Sequence, residues 1–479
     1  MGFENETQRV NRLRRLLADM AAGMRKEDAE RIARSVADGF KRFGGRTETA
    51  FCTLSDPNTL PSDARVDFVY IPTYLACAIL MRAAVENKNL LQDEHLRETL
   101  FYGLNGCTGR NFFGHGYEGV SGFLDAMEIF AQGRVLRFVE RYPEFNEKFT
   151  AAINKAERYL KQELCSGREI EPWSKKSYEE RADRVLEALL RESKEPVDLF
   201  VYGTLMKGQS ANLILDGCTY RGRYCLKDYG MLDLGAYPGV AAYPGESTVG
   251  EVYSVPADLL PSLDTYEDEG KLYTRKIVTV SNENNRIPVY VYIYNTPDGH
   301  GLQRTLWGAK PEDELWYACY GSNLSAARFS CYIEGGTCKE NGRTYPGCTD
   351  KTRWTDEAVM TFPGEVYFGN RSSAWENMGV AFFDPAGKGA APMRLYKIRY
   401  AQLEDLRRME GTSAEWYGRI VCLGVKDDLP VYTITSETRR PENAPCESYV
   451  RLIANAMRNE LGLGDDAIPE AVKNALQNN

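Results

Sequence analysis

Leu199-Phe200-Val201-Tyr202-Gly203-Thr204-Leu205 decides the reading of this chain, because it is written a second time as Trp316-Tyr317-Ala318-Cys319-Tyr320-Gly321-Ser322-Asn323-Leu324. Each copy is an aromatic and β-branched run that reads as a strand and ends in Tyr-Gly-Thr/Ser. Glycine lets the backbone turn sharply there, which frees the next N–H groups to face one side and hold a carboxylate or carbonyl oxygen. One such stretch would read as a plain strand-to-loop turn. Its neighbours repeat too: Gly239-Val240-Ala241 matches Gly379-Val380-Ala381, and Gly250-Glu251-Val252-Tyr253 matches Met393-Arg394-Leu395-Tyr396. From Tyr253 to Glu267 is 14 residues, and from Tyr396 to Glu410 is also 14. Tyr273-Thr274-Arg275 and Tyr417-Gly418-Arg419 follow, each leading into a strand. Five matched features in one order mark an internal repeat. The opening tyrosine and the glutamate lie 65 residues apart in one copy and 90 in the other, which predicts insertions within Cys331–Asn377.

Around the first copy, Val197–Tyr202, Val249–Val255, Lys276–Val280 and Pro288–Tyr294 read as strands, and the Gly- and Pro-containing Asn295–Pro311 closes the region. The second strand-rich texture runs from Leu315 to about Ile434, and helices are expected at Glu447–Leu461 and Ile468–Gln477. Before Val197 strand signals are absent, and apolar residues recur at helical spacing, as in Val10, Leu13, Leu16, Leu17 and Met20. Helices are expected over Asp28–Phe43, Ile71–Val85, His95–Leu104, Val120–Gln132, Phe145–Leu164 and Tyr178–Arg191, with Gly103–Gly119 as a loop. The expected organisation is an all-α domain over 1–195 and two α+β domains over 196–310 and 311–479.

Length and composition agree with several globular cores: 479 residues, 43 % hydrophobic and 27 % charged. The net charge of −9 argues against a nucleic-acid partner. The apolar run Tyr70–Ala84 is too short and interrupted for a membrane span, and Met1–Thr7 does not read as a signal peptide, so a cytoplasmic protein is expected. Twelve cysteines without a CxxC pair read as mostly buried, reduced thiols; Cys331, Cys338 and Cys348 lack a fourth ligand for zinc. With three histidines, no Walker-type loop and no GxGxxG, neither a metal nor any other cofactor is expected. A partner protein on the helical domain stays open.

The repeated residues limit the chemistry. No histidine falls inside either sheet region, since His300 lies in the connecting stretch, so a Ser-His-Asp or Cys-His apparatus cannot be assembled there. Glu267 follows Leu260–Leu263 and Glu410 follows Leu403–Leu406, at the ends of short apolar-patterned helices. Apolar neighbours raise a carboxyl pKa and suit it to general acid/base work near neutrality. A lone helix-end glutamate is usually just solvated; two at equivalent points of a repeat that also carries an anion-binding loop read as bases. His115 in Gly114-His115-Gly116 reads as structural. Arg275 and Arg419 could pair with a substrate carboxylate, though a strand arginine more often braces a neighbouring acid.

Both sheet regions resemble the gamma-glutamylcyclotransferase superfamily, through the Tyr-Gly-Ser/Thr-x-Leu loop and the downstream glutamate. The first is similar to the branch that includes gamma-glutamylamine cyclotransferases, through Phe200–Leu205, Leu232-Asp233-Leu234-Gly235-Ala236-Tyr237-Pro238 and Leu263-Asp264-Thr265-Tyr266-Glu267. It departs from it in placing Asp268-Glu269 before Gly270. The second resembles a longer branch through Tyr320–Leu324 and Glu410-Gly411. The resemblance implies small mixed β-barrels flanked by helices, with loop and glutamate meeting at the mouth. It also implies cyclisation of a γ-glutamyl amine or peptide to 5-oxoproline with release of the amine. Glu267 and Glu410 would then be catalytic. Tyr202, Gly203, Thr204, Leu205 and Tyr273 would bind substrate in one barrel, and Tyr320, Gly321, Ser322, Asn323, Leu324 and Tyr417 in the other. A barrel that only recognises the γ-glutamyl group without turnover is the alternative.

Overall fold

The computed structural model describes residues 3–42, 49–51, 71–108, 116–166, 172–192 and 196–478. The chain divides into two units, one of residues 1–195 with 284–288 and one of the remainder.

In the first unit, α1 (Phe3–Ala22) and α2 (Lys26–Ala37) precede a short hairpin of β1 (Phe40–Arg42) and β2 (Thr49–Phe51). Then come α3 (Ile71–Glu86), α4 (Glu94–Thr108), α5 (Gly116–Phe130), α6 (Gly133–Val139), α7 (Pro143–Ser166) and α8 (Pro172–Arg191). The apolar run near residue 70 becomes α3, buried from Ile71 to Ala84, which is how a helix that is hydrophobic on every side behaves inside a bundle. Among the described residues no helix is long and apolar enough to cross a membrane.

Three local expectations fail here. The region is not free of strands, because Phe40 pairs with Phe51 in an antiparallel ladder too short to leave an alternating signature. That ladder also stops α2 at Ala37, short of Phe43. The glycines near Gly103 do not end α4, which runs to Thr108; residues 109–115, including His115, lie outside the described residues.

In the second unit, β3 (Val197–Val201), β4 (Thr219–Asp233), β5 (Pro238–Val255), α9 (Leu260–Tyr266), β6 (Tyr273–Ser281) and β7 (Arg286–Tyr294) form a closed barrel, with β8 (Leu302–Gln303) on its rim. Strand order is β5-β3-β7-β6-β4, and β4 pairs back onto β5. The β3–β7 pairing is parallel, and β3–β5, β4–β5 and β4–β6 are antiparallel, so the barrel is mixed. Bulges at Tyr220/Gly222 and Lys227/Tyr229 bend β4 enough to close it.

The second sheet region begins with β9 (Glu314–Cys319), α10 (Ala326–Ile333), β10 (Gly336–Thr337) and β11 (Thr344–Tyr345). It continues through β12 (Glu357–Pro363), β13 (Glu365–Ser372), β14 (Met378–Asp384), β15 (Ala390–Arg399), α11 (Tyr400–Glu410), β16 (Arg419–Lys426) and β17 (Leu429–Thr435). Helices α12 (Glu447–Asn455) and α13 (Glu470–Asn478) close the chain.

The order β12-β15-β9-β17-β16, with a parallel β9–β17 pair, repeats the order β4-β5-β3-β7-β6 of the first barrel; among the described residues no pairing of β12 with β16 matches the β4–β6 pair that closes that barrel. One difference stands out: the long β4–β5 hairpin is cut here into β12–β15 and a separate β13–β14 ribbon. The cut falls at Gly364 and Gly389, both at positive φ, where the Gly364 N–H bonds the Gly389 carbonyl at 3.2 Å. The Thr435 hydroxyl spans the remaining gap, donating to the Phe383 carbonyl at 2.7 Å and accepting from the Phe383 N–H at 3.3 Å. Within the span expected to hold insertions lie the end of α10, the β10–β11 hairpin and the irregular stretch that leads to β12.

Candidate functional site

In the first barrel β3 delivers Tyr202 to the rim, and the chain turns at once, with the Met206 N–H bonded to the Gly203 carbonyl at 2.9 Å. Among the described residues the N–H groups of Gly203, Thr204 and Leu205 make no internal hydrogen bond. Gly203 is required by close approach: a Cβ there would stand 2.7 Å from the Pro238 ring. The loop is held from outside by Glu251, which accepts the Lys207 N–H at 2.7 Å, and by Asn212, which donates to the Leu205 carbonyl at 2.7 Å.

Glu267 caps the C-terminus of α9 and lines a cavity of about 230 Å³ together with Gly203, Thr204, Leu205, Tyr273 and Tyr292. Its carboxylate has no hydrogen bond or ion pair among the described residues, and burial alone raises its pKa to about 7. The Thr204 hydroxyl lies 3.0 Å from the Tyr266 hydroxyl and so ties the loop to the residue before Glu267. Asp268 is exposed and pairs with Lys271 at 3.3 Å, so the extra acid of this copy is solvated.

The predicted tyrosines serve as walls. Tyr202 donates to the Tyr292 carbonyl at 2.5 Å and Tyr273 to the Pro238 carbonyl at 2.9 Å, so both hydroxyls are engaged within the barrel. Arg275 braces an acid: its Nε donates to Asp264 at 2.7 Å, and the Tyr292 hydroxyl donates to the same oxygen at 2.7 Å. This cluster fixes the end of α9 from which Glu267 projects. Sequence reasoning passed over Asp264 and Tyr292, although Asp264 stands one helical turn before Glu267.

In the second copy Glu410 ends α11, partly buried, with its pKa raised by burial against the opposing pull of Arg328. Asn323 donates to its Oε1 at 3.1 Å. Gly321, Ser322, Asn323, Tyr320 and Tyr417 join it around a small cavity of about 50 Å³. A second hollow of about 420 Å³ shares Glu410, Ser322, Tyr417 and Tyr449. Tyr320 donates to the Ile434 carbonyl at 2.7 Å and Tyr417 to the Ala381 carbonyl at 2.9 Å, the same wall roles as in the first barrel.

Leu324 departs from the expectation. The 3₁₀ turn Ser322–Leu324 rotates its side chain into the core, where it is completely buried, and spends its N–H on the Gly321 carbonyl at 3.0 Å. Arg419 reaches Glu246 at 3.1 Å, again bracing an acid. Arg328, one residue type with no counterpart in the first loop, was not singled out by sequence.

A glutamate at the barrel mouth thus shares its cavity with a turn of amides that are unbonded among the described residues. A family model described as "Gamma-glutamyl cyclotransferase, AIG2-like" matches residues 199–316. Histone deacetylase 5 of Arabidopsis thaliana is 32 % identical over 153 residues, 26 % of this chain but only 23 % of that protein's length. A putative gamma-glutamylcyclotransferase of Vibrio cholerae is 37 % identical over 97 residues, 20 % of this chain and 80 % of its own. Gamma-glutamylaminecyclotransferase of Bos taurus is 34 % identical over 108 residues, 20 % of this chain and 64 % of its own. The chain belongs to the gamma-glutamylcyclotransferase family.

Proposed function

We propose that the first barrel cyclises a γ-glutamyl amide to 5-oxoproline with release of the amine, within a chain organised as a helical domain and two related α+β domains. The observation that carries this is the Glu267 carboxyl, without a partner among the described residues and pushed up to about 7 by burial, in the same cavity as the free N–H groups of residues 203–205.

A γ-glutamyl amide carries its own nucleophile. The ionised Glu267 takes a proton from the substrate α-ammonium, and the freed amine attacks the γ-carbonyl carbon, forming the ring C–N bond. Negative charge gathers on the carbonyl oxygen, which the loop amides stabilise. Collapse breaks the original amide bond as Glu267 hands its proton to the leaving nitrogen; the second proton shed by the ring nitrogen passes through the same carboxylate to the departing amine, which leaves as its ammonium, and Glu267 ends as the carboxylate it began as. The rim tyrosines fold the substrate so that amine and carbonyl meet; orientation of this kind supplies up to ~7–11 kcal/mol in favourable cases. No covalent enzyme intermediate and no histidine is needed.

Incubation of the full chain with γ-glutamyl amines and γ-glutamyl dipeptides, with 5-oxoproline measured, tests the reading. Glu267→Gln is expected to abolish release from γ-glutamyl amines. Undiminished release in that variant, and in Glu410→Gln, would refute the assignment of the bases.

A further inference from the structure

The two cavities differ in one chemical respect. Among the described residues the lining of the first contains no arginine or lysine, and Glu267 is its one charged side chain. The large hollow beside Glu410 is lined by Arg328, Arg343 and Arg371, with Ser372 and Ser373 between them, and Glu410 as its one acid.

Arg328 is 2 % exposed. Its Nε donates to Ser322 at 2.9 Å and one terminal nitrogen reaches Tyr345 at 3.2 Å, while the guanidinium lies 5.3 Å over the Trp375 ring. These contacts lock its plane. The other terminal nitrogen, Nη1, is buried with no hydrogen-bond partner among the described residues. A buried donor of this kind costs free energy until an acceptor reaches it. Among the described residues none of the three arginines forms an ion pair with a carboxylate; Arg343 donates to Ser373 at 2.8 Å, and both Arg343 and Arg371 stand exposed. The hollow therefore holds three guanidinium groups against one carboxylate, a fork geometry matched to carboxylates.

We propose that this hollow recognises carboxylate groups, so that the second domain selects γ-glutamyl compounds whose leaving portion is acidic, whereas the first barrel accepts uncharged amines. The proposal rests on the reading of Glu410 as the centre of a γ-glutamyl site. Arg328 meets a carboxylate at the floor, and Arg343 with Arg371 meets a further one at the mouth. The wall that carries Arg343, Arg371 and both serines comes from the inserted segment and the β13–β14 ribbon, which explains why the first barrel lacks it.

Isothermal titration of the full chain with γ-glutamylglutamate and with γ-glutamyl-n-butylamine tests this. The wild type is expected to bind the acidic compound about tenfold tighter, with a preference that shrinks as salt rises, as two exposed guanidinium contacts would give. Arg343→Ala/Arg371→Ala removes two exposed side chains, so folding is kept, and should bring the ratio to about threefold or less. Arg328→Met should weaken the acidic compound further, and Arg328→Lys should restore part of it. Equal affinities in the wild type, or a preference that survives the double substitution, would overturn the proposal. Measuring 5-oxoproline alongside separates the two readings. Binding preference without any release keeps this proposal and removes the cyclotransferase reading; Glu267-dependent release without preference does the reverse.

Discussion

Glu267 makes a prediction in which activity and stability pull in opposite directions. Burial lifts its pKa from 4.5 to about 7, so the folded barrel holds the protonated form more tightly than the unfolded chain does. A raised folded pKa means the carboxyl costs nothing below pH 4.5. The penalty grows as pH rises from 4.5 to about 7 and is complete above that. At ~1.4 kcal/mol per unit the full penalty is ~3 kcal/mol, and discounting for the part of the side chain that reaches water leaves ~2 kcal/mol. Glu267→Gln keeps the shape and removes the charge. Urea unfolding followed by circular dichroism should therefore find the variant more stable than the wild type, with the margin widening by ~1–2 kcal/mol between pH 5.5 and pH 8.5. In the wild type kcat/KM should fall about tenfold from pH 8 to pH 6, as a base with a pKa near 7 loses its charge, whereas an ordinary glutamate would stay ionised. Parallel stability curves for the two proteins, or a flat kcat/KM over that range, would refute the buried-base argument.

Further expectations concern the supports of the two sites. Asp264→Asn loosens the grip of Arg275 and Tyr292 on α9 and should lower kcat/KM by ~10–100-fold while Glu267 itself is intact, with the apparent pKa of the profile shifted. An unchanged pH–rate profile would show that the cluster does not position the base. Gly203→Ala puts a methyl group 2.7 Å from the Pro238 ring and should raise KM and destabilise by ~1–3 kcal/mol, read by thermal unfolding and steady-state kinetics. Thr435→Val removes the hydroxyl that joins the ribbon to the sheet and should cost ~1–3 kcal/mol, read by denaturation and by faster amide exchange at Phe383.

Much of the architecture was readable because it was written twice. The Tyr-Gly loop, the equal tyrosine-to-glutamate spacing and the Tyr-x-Arg strand starts are local signals. In the structure they bring Glu267 to the loop of Gly203 and Glu410 to that of Gly321. What stayed hidden depends on partners distant in sequence. The Asp264–Arg275–Tyr292 cluster needs the barrel closed before it exists, and Arg328 is an ordinary helix residue until Trp375 and Tyr345 fold over it. The β1–β2 hairpin is three residues a side, below the length at which alternation can register. Leu324 falls outside both cavities because the second loop carries one more residue, Asn323, before its leucine; that puts Leu324 where Met206 stands in the first loop, with its N–H on the turn-opening glycine carbonyl.

The severed hairpin of the second sheet region has a consequence for how freely its mouth can vary. In the first barrel, Pro238 opens β5, a single strand that runs on to Val255 and pairs with β4 on both sides of its bulges, so altering the mouth there tugs on strands that run the height of the wall. In the second, Ser372 to Trp375 sit at the tip of a ribbon hinged on Gly364 and Gly389 and latched by Thr435. Mutations can accumulate on that tip and retune which compounds enter, while the main sheet keeps its register.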